Sequence, residues 1–203
     1  MKVRIRLLLP ILFVVGILLA GTNGPSISEY AVMAIEDTGK LNSDEDFNKM
    51  MDVITHQRCM NCHPNDNIPK QGDTSHPHYF DMARGTDDMG FQATKCTTCH
   101  QSENNDYSGV PGAPHWSLAP ASMGWQGVSR TEIAKQILDK ETNGGKNHEE
   151  LIKHMTEDEL VLWAWEPGVD ANGKKRTPPP VSKEDFKTAV ENWFKDGALI
   201  PSE

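Results

Sequence analysis

Two five-residue motifs constrain this chain more than any other feature. Residues 59–63 read CMNCH and residues 96–100 read CTTCH, and together they contain all four cysteines. Each motif is a C-x-x-C-H sequence, the attachment pattern of c-type haem, in which two thiols bind the porphyrin and the histidine ligates the iron. The motifs therefore predict two haem c groups. The predicted thioether residues are Cys59, Cys62, Cys96 and Cys99, and the predicted proximal iron ligands are His63 and His100.

Paired cysteines have two other common roles. Two C-x-x-C pairs can bind zinc through four thiolates, and a single pair can form a redox-active disulfide. The segment between the motifs, residues 63–95, is longer than the connection of about 15–20 residues in common zinc ribbons. The chain also shows no thioredoxin-like βαβ pattern. The histidine after each pair favours haem over both alternatives.

The N-terminal segment has the pattern of an export signal. Three basic residues, Lys2, Arg4 and Arg6, precede an apolar run of 14 residues at 7–20. That run is short for a transmembrane helix and typical of a signal peptide. We expect residues 1–24 to be a cleaved signal peptide or, as the alternative, an uncleaved N-terminal anchor. Residues 25–203 are then periplasmic, and they are attached to the membrane only if the anchor is kept.

The charge of the chain restricts its partners. The formal net charge is −9, and it becomes −12 without residues 1–28, which carry three basic side chains and no acidic ones. Nucleic acid is excluded as a partner because phosphate binding requires a basic surface. An acidic surface favours encounter with a basic face of a redox partner, although acidity also keeps an exported protein soluble.

Apolar periodicity predicts helices at both ends of the mature chain. Residues 22–42 are expected to be irregular, and an amphipathic helix is expected to begin at Ser43 and lead into Cys59. The apolar face of that helix consists of Phe47, Met50, Met51 and Ile54. Further helices are predicted after Ser129, over residues 148–155, after Thr156 and after Ser182.

Residues 64–95 and 101–127 are rich in proline and glycine and are predicted to be loops. Because the stretch between the motifs is too short for a separate helical domain, residues 25–203 are expected to form a single dihaem domain. The predicted fold is mainly α and cytochrome c-like, with no substantial sheet and with long irregular loops wrapped around two covalently bound haems.

Each iron also needs a distal ligand, for which histidine and methionine are the usual choices. The candidate distal ligands are His76, His78, Met123 and His154. His76 and His78 flank a stiffening proline, Met123 lies in a loop before a helix, and His154 lies on a helix face. The spacing leaves open which candidate serves which iron. Arg58 and Arg84 are candidate partners of the haem propionates.

The two motifs and the export signal resemble those of multihaem c-type cytochromes. Residues 72–78 (GDTSHPH), 111–114 (PGAP) and 177–180 (TPPP) look more narrowly like small dihaem cytochromes labelled as subunits of isoquinoline-oxidising molybdenum hydroxylases. This resemblance covers most of residues 55–200. It implies a redox partner such as a periplasmic molybdenum hydroxylase or another dehydrogenase. It also implies a haem-facing position for His63, His100, His76, His78, Met123 and His154.

Together these features predict an electron carrier rather than an enzyme. The carrier would pass electrons from a periplasmic dehydrogenase to a downstream acceptor. One alternative is a small peroxidase-like or reductase-like haem enzyme with one open iron site, which needs acid or base groups beside that site. The other alternative is a haem-based sensor, which usually carries a signalling module that this chain lacks.

Overall fold

A computed structural model of the chain describes residues 26–202, with side chains described for 26–33 and 43–202. The chain divides into two units, Met1–Glu36 and Asp37–Glu203. The predicted signal peptide, residues 1–24, lies outside the described residues, and the single domain over 25–203 stays a prediction. Within the described residues, no helix combines the length and the apolar character needed to cross a membrane.

The described part of the chain is mainly helical, which confirms the predicted fold class at that level. Its α-helices are α1 (Ile27–Ile54), α2 (Gln57–Met60), α3 (Arg130–Leu138), α4 (His148–Glu157), α5 (Glu159–Leu162) and α6 (Lys183–Lys195). Two antiparallel hairpins of two-residue strands lie between α2 and α3: β1 (Lys70–Gln71) with β2 (His76–Pro77), and β3 (Gly90–Phe91) with β4 (Thr94–Lys95). Long loops connect these elements, as predicted.

Helix α1 begins earlier than the sequence pattern predicts. It starts at Ile27 rather than Ser43, so the predicted irregular structure is wrong over residues 27–42. This stretch contains no proline and only one glycine, Gly39, so helical propensity continues through it. Ser43 therefore lies inside the helix, where it is buried. The predicted apolar face is confirmed, since Phe47, Met50, Met51 and Ile54 are all buried.

Side-chain caps define the later helices. Ser129 accepts a hydrogen bond from Glu132 N at the start of α3, and Ser182 accepts one from Asp185 N at the start of α6, as predicted. Helix α5 begins at Glu159 with Asp158 as its cap, not after Thr156. The Thr156 hydroxyl instead donates to Ile152 O within α4, which extends the preceding helix past the predicted cap.

One hydrophobic core lies in the unit Asp37–Glu203. Helix α4 packs on α6, and the end of α1 and helix α3 complete the helical part of the core. The loop before α3 adds Met123 and Trp125, which are 7 % and 5 % exposed. The other buried members are Phe47, Met50, Met51, Val53, Ile54, Ile133, Ala134, Ile137, Leu151, Met155, Phe186, Val190, Trp193, Phe194 and Ala198. Cys59 and Met60 pack against this core, which places the first motif at its edge.

Candidate functional site

The first motif follows α1 almost directly and starts within the short helix α2. The His56 side chain caps α2 by accepting a hydrogen bond from Arg58 N through Nδ1, at 3.3 Å. Cys62 N then donates to Cys59 O at 3.0 Å, so both cysteines of the motif belong to one turn. The turn carries the two thiols and leads to His63.

His63 is fixed by a loop that lies far away in sequence. Its Nδ1 is 2.8 Å from Met123 O, 60 residues along the chain. Trp125 stacks on the imidazole with ring centroids 3.4 Å apart and an interplanar angle of 7°. A carbonyl oxygen can only accept, so Nδ1 carries the proton and Nε2 keeps the lone pair. His63 is therefore oriented to bind a metal through Nε2.

The second motif repeats this arrangement with other residues. Strand β4 leads into a 3₁₀ turn at Cys96–Thr98. His100 Nδ1 lies 2.7 Å from Pro111 O, which again leaves the Nε2 lone pair available. Trp116 stacks on His100 with centroids 4.4 Å apart and an interplanar angle of 6°. Two motifs in different local structures thus present the same histidine tautomer against a stacked indole.

The four cysteines are free thiols. Burial, with smaller contributions from neighbouring thiols, raises the pKa of Cys59 to about 12 and of Cys62 to about 11. For Cys62 the thiol that contributes is Cys96. Among the described residues, no three His, Cys, Asp or Glu side chains are grouped as metal ligands.

Both motif histidines are held in the neutral form. Burial lowers the pKa of His63 to about 3, although the bond to Met123 O opposes this, and His154 and Arg84 lower it further through their charges. Burial also lowers the pKa of His100, and His78 adds to that effect. Neutral imidazole is the form that ligates metals.

His78 lies beside His100, with ring centroids 5.9 Å apart and an interplanar angle of 71°. Its Nδ1 lies 2.7 Å from Tyr79 O, so its Nε2 also carries a lone pair. Metal–imidazole bonds are about 2 Å long, so His78 and His100 would be close enough to hold one ion together. The distance between His78 and His100 fits such a pair.

His76 occupies a different environment. Its Nδ1 is bonded to Pro77 O at 2.8 Å, and its ring lies 4.9 Å from that of Tyr79. A Cβ atom on Gly72 would lie 3.2 Å from His76 Nε2, so this nitrogen faces the hairpin backbone. His76 and His78 both flank Pro77 in the sequence, but His76 lies in the β1–β2 hairpin whereas His78 lies beside His100.

His154 lies on α4 near the first motif. Its Nδ1 is 3.1 Å from Asp158 Oδ2, and a carboxylate only accepts, so Nδ1 carries a proton and the neutral imidazole keeps its lone pair on Nε2. Leu151 and Met155 of the same helix share the core with Trp125, which stacks on His63. The structure therefore places His78 beside His100, and it places His154 on a helix that shares the core with Trp125, the residue stacked on His63.

Met123 contributes to the first site through its backbone. Its carbonyl accepts the His63 bond, and its side chain lies in the hydrophobic core. Trp125 N also donates to His63 O at 3.0 Å, so the loop at 123–125 supports the Nδ1 side of the imidazole.

Apart from Arg58 Nη2, which forms an ion pair with Asp73, two buried donor atoms near the first motif have no partner among the described residues, Trp125 Nε1 and Arg84 Nε. Arg84 is otherwise held by Asp88 Oδ1 at 2.7 Å and by Ala119 O. Buried donors normally find an acceptor. These two atoms are therefore suited to a ligand that brings carboxylate groups, as haem does. Arg58, the other predicted propionate partner, pairs instead with Asp73.

A hydrogen-bonded aromatic cluster supports the second site. Trp163 meets Trp116 edge-on, with centroids 4.9 Å apart. Asn104 Oδ1 accepts from Trp163 Nε1 at 2.9 Å and from Gly112 N at 3.1 Å. Asn104 therefore holds the indole of Trp163, which packs against Trp116, the residue that stacks on His100.

Sequence reasoning missed the residues that orient the two motif histidines. The two acceptors, Met123 O and Pro111 O, are backbone atoms, and side-chain identity carries no signal for them. The sequence does indicate Trp116 and Trp125 as candidate contacts, because each of these aromatic residues follows a Pro- and Gly-rich stretch. Asn104 carried no such signal, since polar residues are common in loops.

Comparisons of this chain with protein-family models, with curated proteins and with solved structures give no match.

Proposed function

We propose that this chain is an exported dihaem c-type cytochrome that carries electrons between a periplasmic dehydrogenase and a downstream acceptor. The observation that carries the proposal is the repeated arrangement at residues 59–63 and 96–100. At each motif, two thiols precede a histidine whose Nδ1 is bonded to a carbonyl oxygen and whose ring is stacked on tryptophan. This shared tertiary arrangement supports a common role for the two motifs.

Attachment uses the four thiols. Each S–H group adds across a vinyl double bond, so a carbon–sulfur bond forms, the hydrogen goes to the other vinyl carbon and nothing leaves. Cys59 and Cys62 would hold one porphyrin, and Cys96 and Cys99 the other. The carbonyl acceptors of Met123 and Pro111 fix the tautomer of the two proximal histidines, a role that acceptors behind metal-bound histidines commonly have.

We propose that His78 would hold the second iron together with His100, and that His154 would hold the first iron together with His63. The centroid distance of 5.9 Å between His78 and His100 supports their pairing. The effect of His154 on the pKa of His63, together with the shared core around α4, supports the pairing of His154 with His63. His76 is disfavoured because its Nε2 faces Gly72, and Met123 because its side chain lies in the core.

Arg84 Nε and Trp125 Nε1 are the donors we propose for the propionates of the first haem. Both are buried without a partner in the described part of the chain. The Arg84 charge lowers the pKa of His63, and Trp125 stacks on the His63 ring. A carboxylate acceptor would remove the cost of leaving these donors unpaired, which is about 1–3 kcal/mol for each group.

Bound haem supplies a one-electron ferric/ferrous couple. Two imidazoles of the chain would hold each iron, and the chemistry supplied would be electron transfer rather than reaction with peroxide. This assignment favours the electron carrier over the peroxidase-like alternative. The acidic charge of the chain favours a redox partner with a basic face.

Attachment is tested by export of the full chain in a host that matures c-type cytochromes. We expect two covalent haems per chain by mass and by haem staining after denaturation. The pair Cys59→Ser and Cys62→Ser should remove one haem, and Cys96→Ser with Cys99→Ser the other. A chain with no covalent haem would disprove the proposed function.

Ligation is tested by spin state and carbon monoxide binding. Two low-spin haems that bind no carbon monoxide are expected in the native protein. His78→Ala and His154→Ala should each open one haem, whereas His76→Ala and Met123→Leu should open none. A native protein with one high-spin haem would support the enzyme alternative instead.

A further inference from the structure

The four histidines proposed as iron ligands differ in what accepts their Nδ1 protons. His63, His78 and His100 each donate to a backbone carbonyl oxygen, at 2.8, 2.7 and 2.7 Å. His154 donates to a carboxylate, Asp158 Oδ2, at 3.1 Å. This is the one chemical difference in the hydrogen bonds behind these four imidazoles.

We propose that Asp158 is a positioning residue that orients His154 and lowers the reduction potential of the haem held by His63 and His154. The inference rests on the proposed function. A carboxylate acceptor draws the Nδ1 proton toward itself and makes the imidazole a more basic ligand. Its negative charge and the more basic ligand both favour ferric over ferrous iron, because the ferric ion carries the larger positive charge.

The geometry of Asp158 suits this role. Its Oδ1 accepts from Leu160 N at 2.9 Å and caps helix α5, while its Oδ2 faces His154. The side chain is therefore held from both sides, by the end of α4 and by the start of α5. A cap alone requires only one oxygen atom, so the second oxygen remains for His154.

The two sites are consequently unequal. In the first pair, His63 with His154, the Asp158 carboxylate accepts from His154. In the second pair, His100 with His78, both acceptors are carbonyl oxygens. The inference predicts two separate midpoint potentials in the native dihaem protein. The lower potential belongs to the haem attached through Cys59 and Cys62.

The alternative role of Asp158 is purely structural, as a helix cap. Asp158→Asn separates the two roles because asparagine caps helices about as well as aspartate. The asparagine oxygen can still accept from Leu160 N, while its NH₂ group replaces the charged oxygen that faces His154. Glu157→Gln is the matched control, since it removes the same charge from the adjacent exposed position.

The test is a spectroelectrochemical titration of the haem-loaded full chain. The two single-site serine pairs assign each potential to its haem. In Asp158→Asn we expect the ferrous-to-ferric ratio of the first haem, at a fixed potential, to rise about tenfold, which for one electron is about 59 mV. The second haem should keep its potential, and Glu157→Gln should move the first potential less than Asp158→Asn does.

Three outcomes would overturn the inference: unchanged potentials in Asp158→Asn, equal shifts in Asp158→Asn and Glu157→Gln, or a shift confined to the second haem. Conversion of the first haem to high spin in Asp158→Asn alone would support it, because His154 would then have lost its position. A protein that takes up no covalent haem would instead refute the proposed function and is recognised before any titration.

Discussion

The atom that faces Nδ1 separates His56 from the candidate iron ligands. His63, His76, His78, His100 and His154 all face an acceptor, so in the neutral imidazole the proton lies on Nδ1 and Nε2 keeps its lone pair. His56 faces a donor, Arg58 N, so its proton lies on Nε2. His56 also caps α2, and burial with the nearby Arg58 charge lowers its pKa. A single hydrogen bond therefore distinguishes a helix cap from a possible ligand.

Arg58 directly precedes the first motif and carries a buried charge, and Asp73 supplies its counter-charge. The Arg58 side chain is 2 % exposed, pairs with Asp73 and donates Nε to Thr177 O at 3.0 Å. Burial, reinforced by Arg176, lowers the pKa of Arg58 to about 10. Asp73→Asn leaves this cation without its counter-charge, so we expect the free energy of unfolding to fall by about 2 kcal/mol.

Urea denaturation followed by circular dichroism measures this change. The matched control is Glu149→Gln, which breaks the ion pair with Lys153. The side chains of Glu149 and Lys153 are 78 % and 58 % exposed. We expect that control to leave the denaturation midpoint unchanged, because exposed pairs contribute little. Equal midpoints for both variants would show that Asp73 does not stabilise the buried arginine.

Local sequence signals predicted the elements whose ends are fixed by their own side chains. Helices α3 and α6 begin after the predicted caps, Ser129 and Ser182. The start of α1 was missed because Ser43 resembles a cap although the preceding residues remain helical. The α5 cap was missed because Thr156 bonds backward within α4.

The candidate site was predictable only in part, for a related reason. The C-x-x-C-H motifs are local and were visible in the sequence. The partners of His63 lie 60 residues away, and the choice between His76 and His78 depends on which nitrogen faces Gly72. Contacts of this kind follow from tertiary packing, which leaves no periodic pattern in the sequence.

Helix α4 connects the hydrophobic core to the first site, so its N-cap is expected to affect both. Asn147 and Glu150 form a reciprocal capping box at its start. Asn147→Ala removes the side-chain acceptor and should lower the free energy of unfolding by about 1 kcal/mol. Asn147→Ser keeps an acceptor and should restore most of that loss.

Thermal denaturation of the haem-loaded protein measures both variants. Because His154 lies near the other end of α4 and is held by Asp158, the haem spectrum of Asn147→Ala at low temperature should stay low-spin. An immediate high-spin spectrum would mean that the first turn of α4 positions His154, and equal melting temperatures for the alanine and serine variants would show that the cap contributes nothing.

At the scale of the whole molecule, the buried hydrophobic core is formed mainly by segments outside residues 55–122, the stretch that carries both C-x-x-C-H motifs. In the part that the structure describes, no fully buried member of the core cluster lies between residues 55 and 122. The helices therefore bury an apolar core of their own. The loops at 64–118 are held mainly by hydrogen bonds and ion pairs, such as those of Arg84.

This division predicts two different responses to loss of haem. Replacement of all four cysteines by serine should preserve most of the helical circular dichroism and a cooperative unfolding transition, because the core of α1, α3, α4 and α6 is intact.

The loops should open more easily without attached haem. Trypsin should then cleave after Lys70 and Lys95 about tenfold faster than in the haem-loaded native protein, as expected for a local opening free energy lowered by about 1.4 kcal/mol. Cleavage after Lys135 in α3 should remain slow in both proteins and serves as the internal control. Loss of the helical signal together with the loops would show that the haems are required for the core, and unchanged cleavage after Lys70 and Lys95 would show that the loops fold without them.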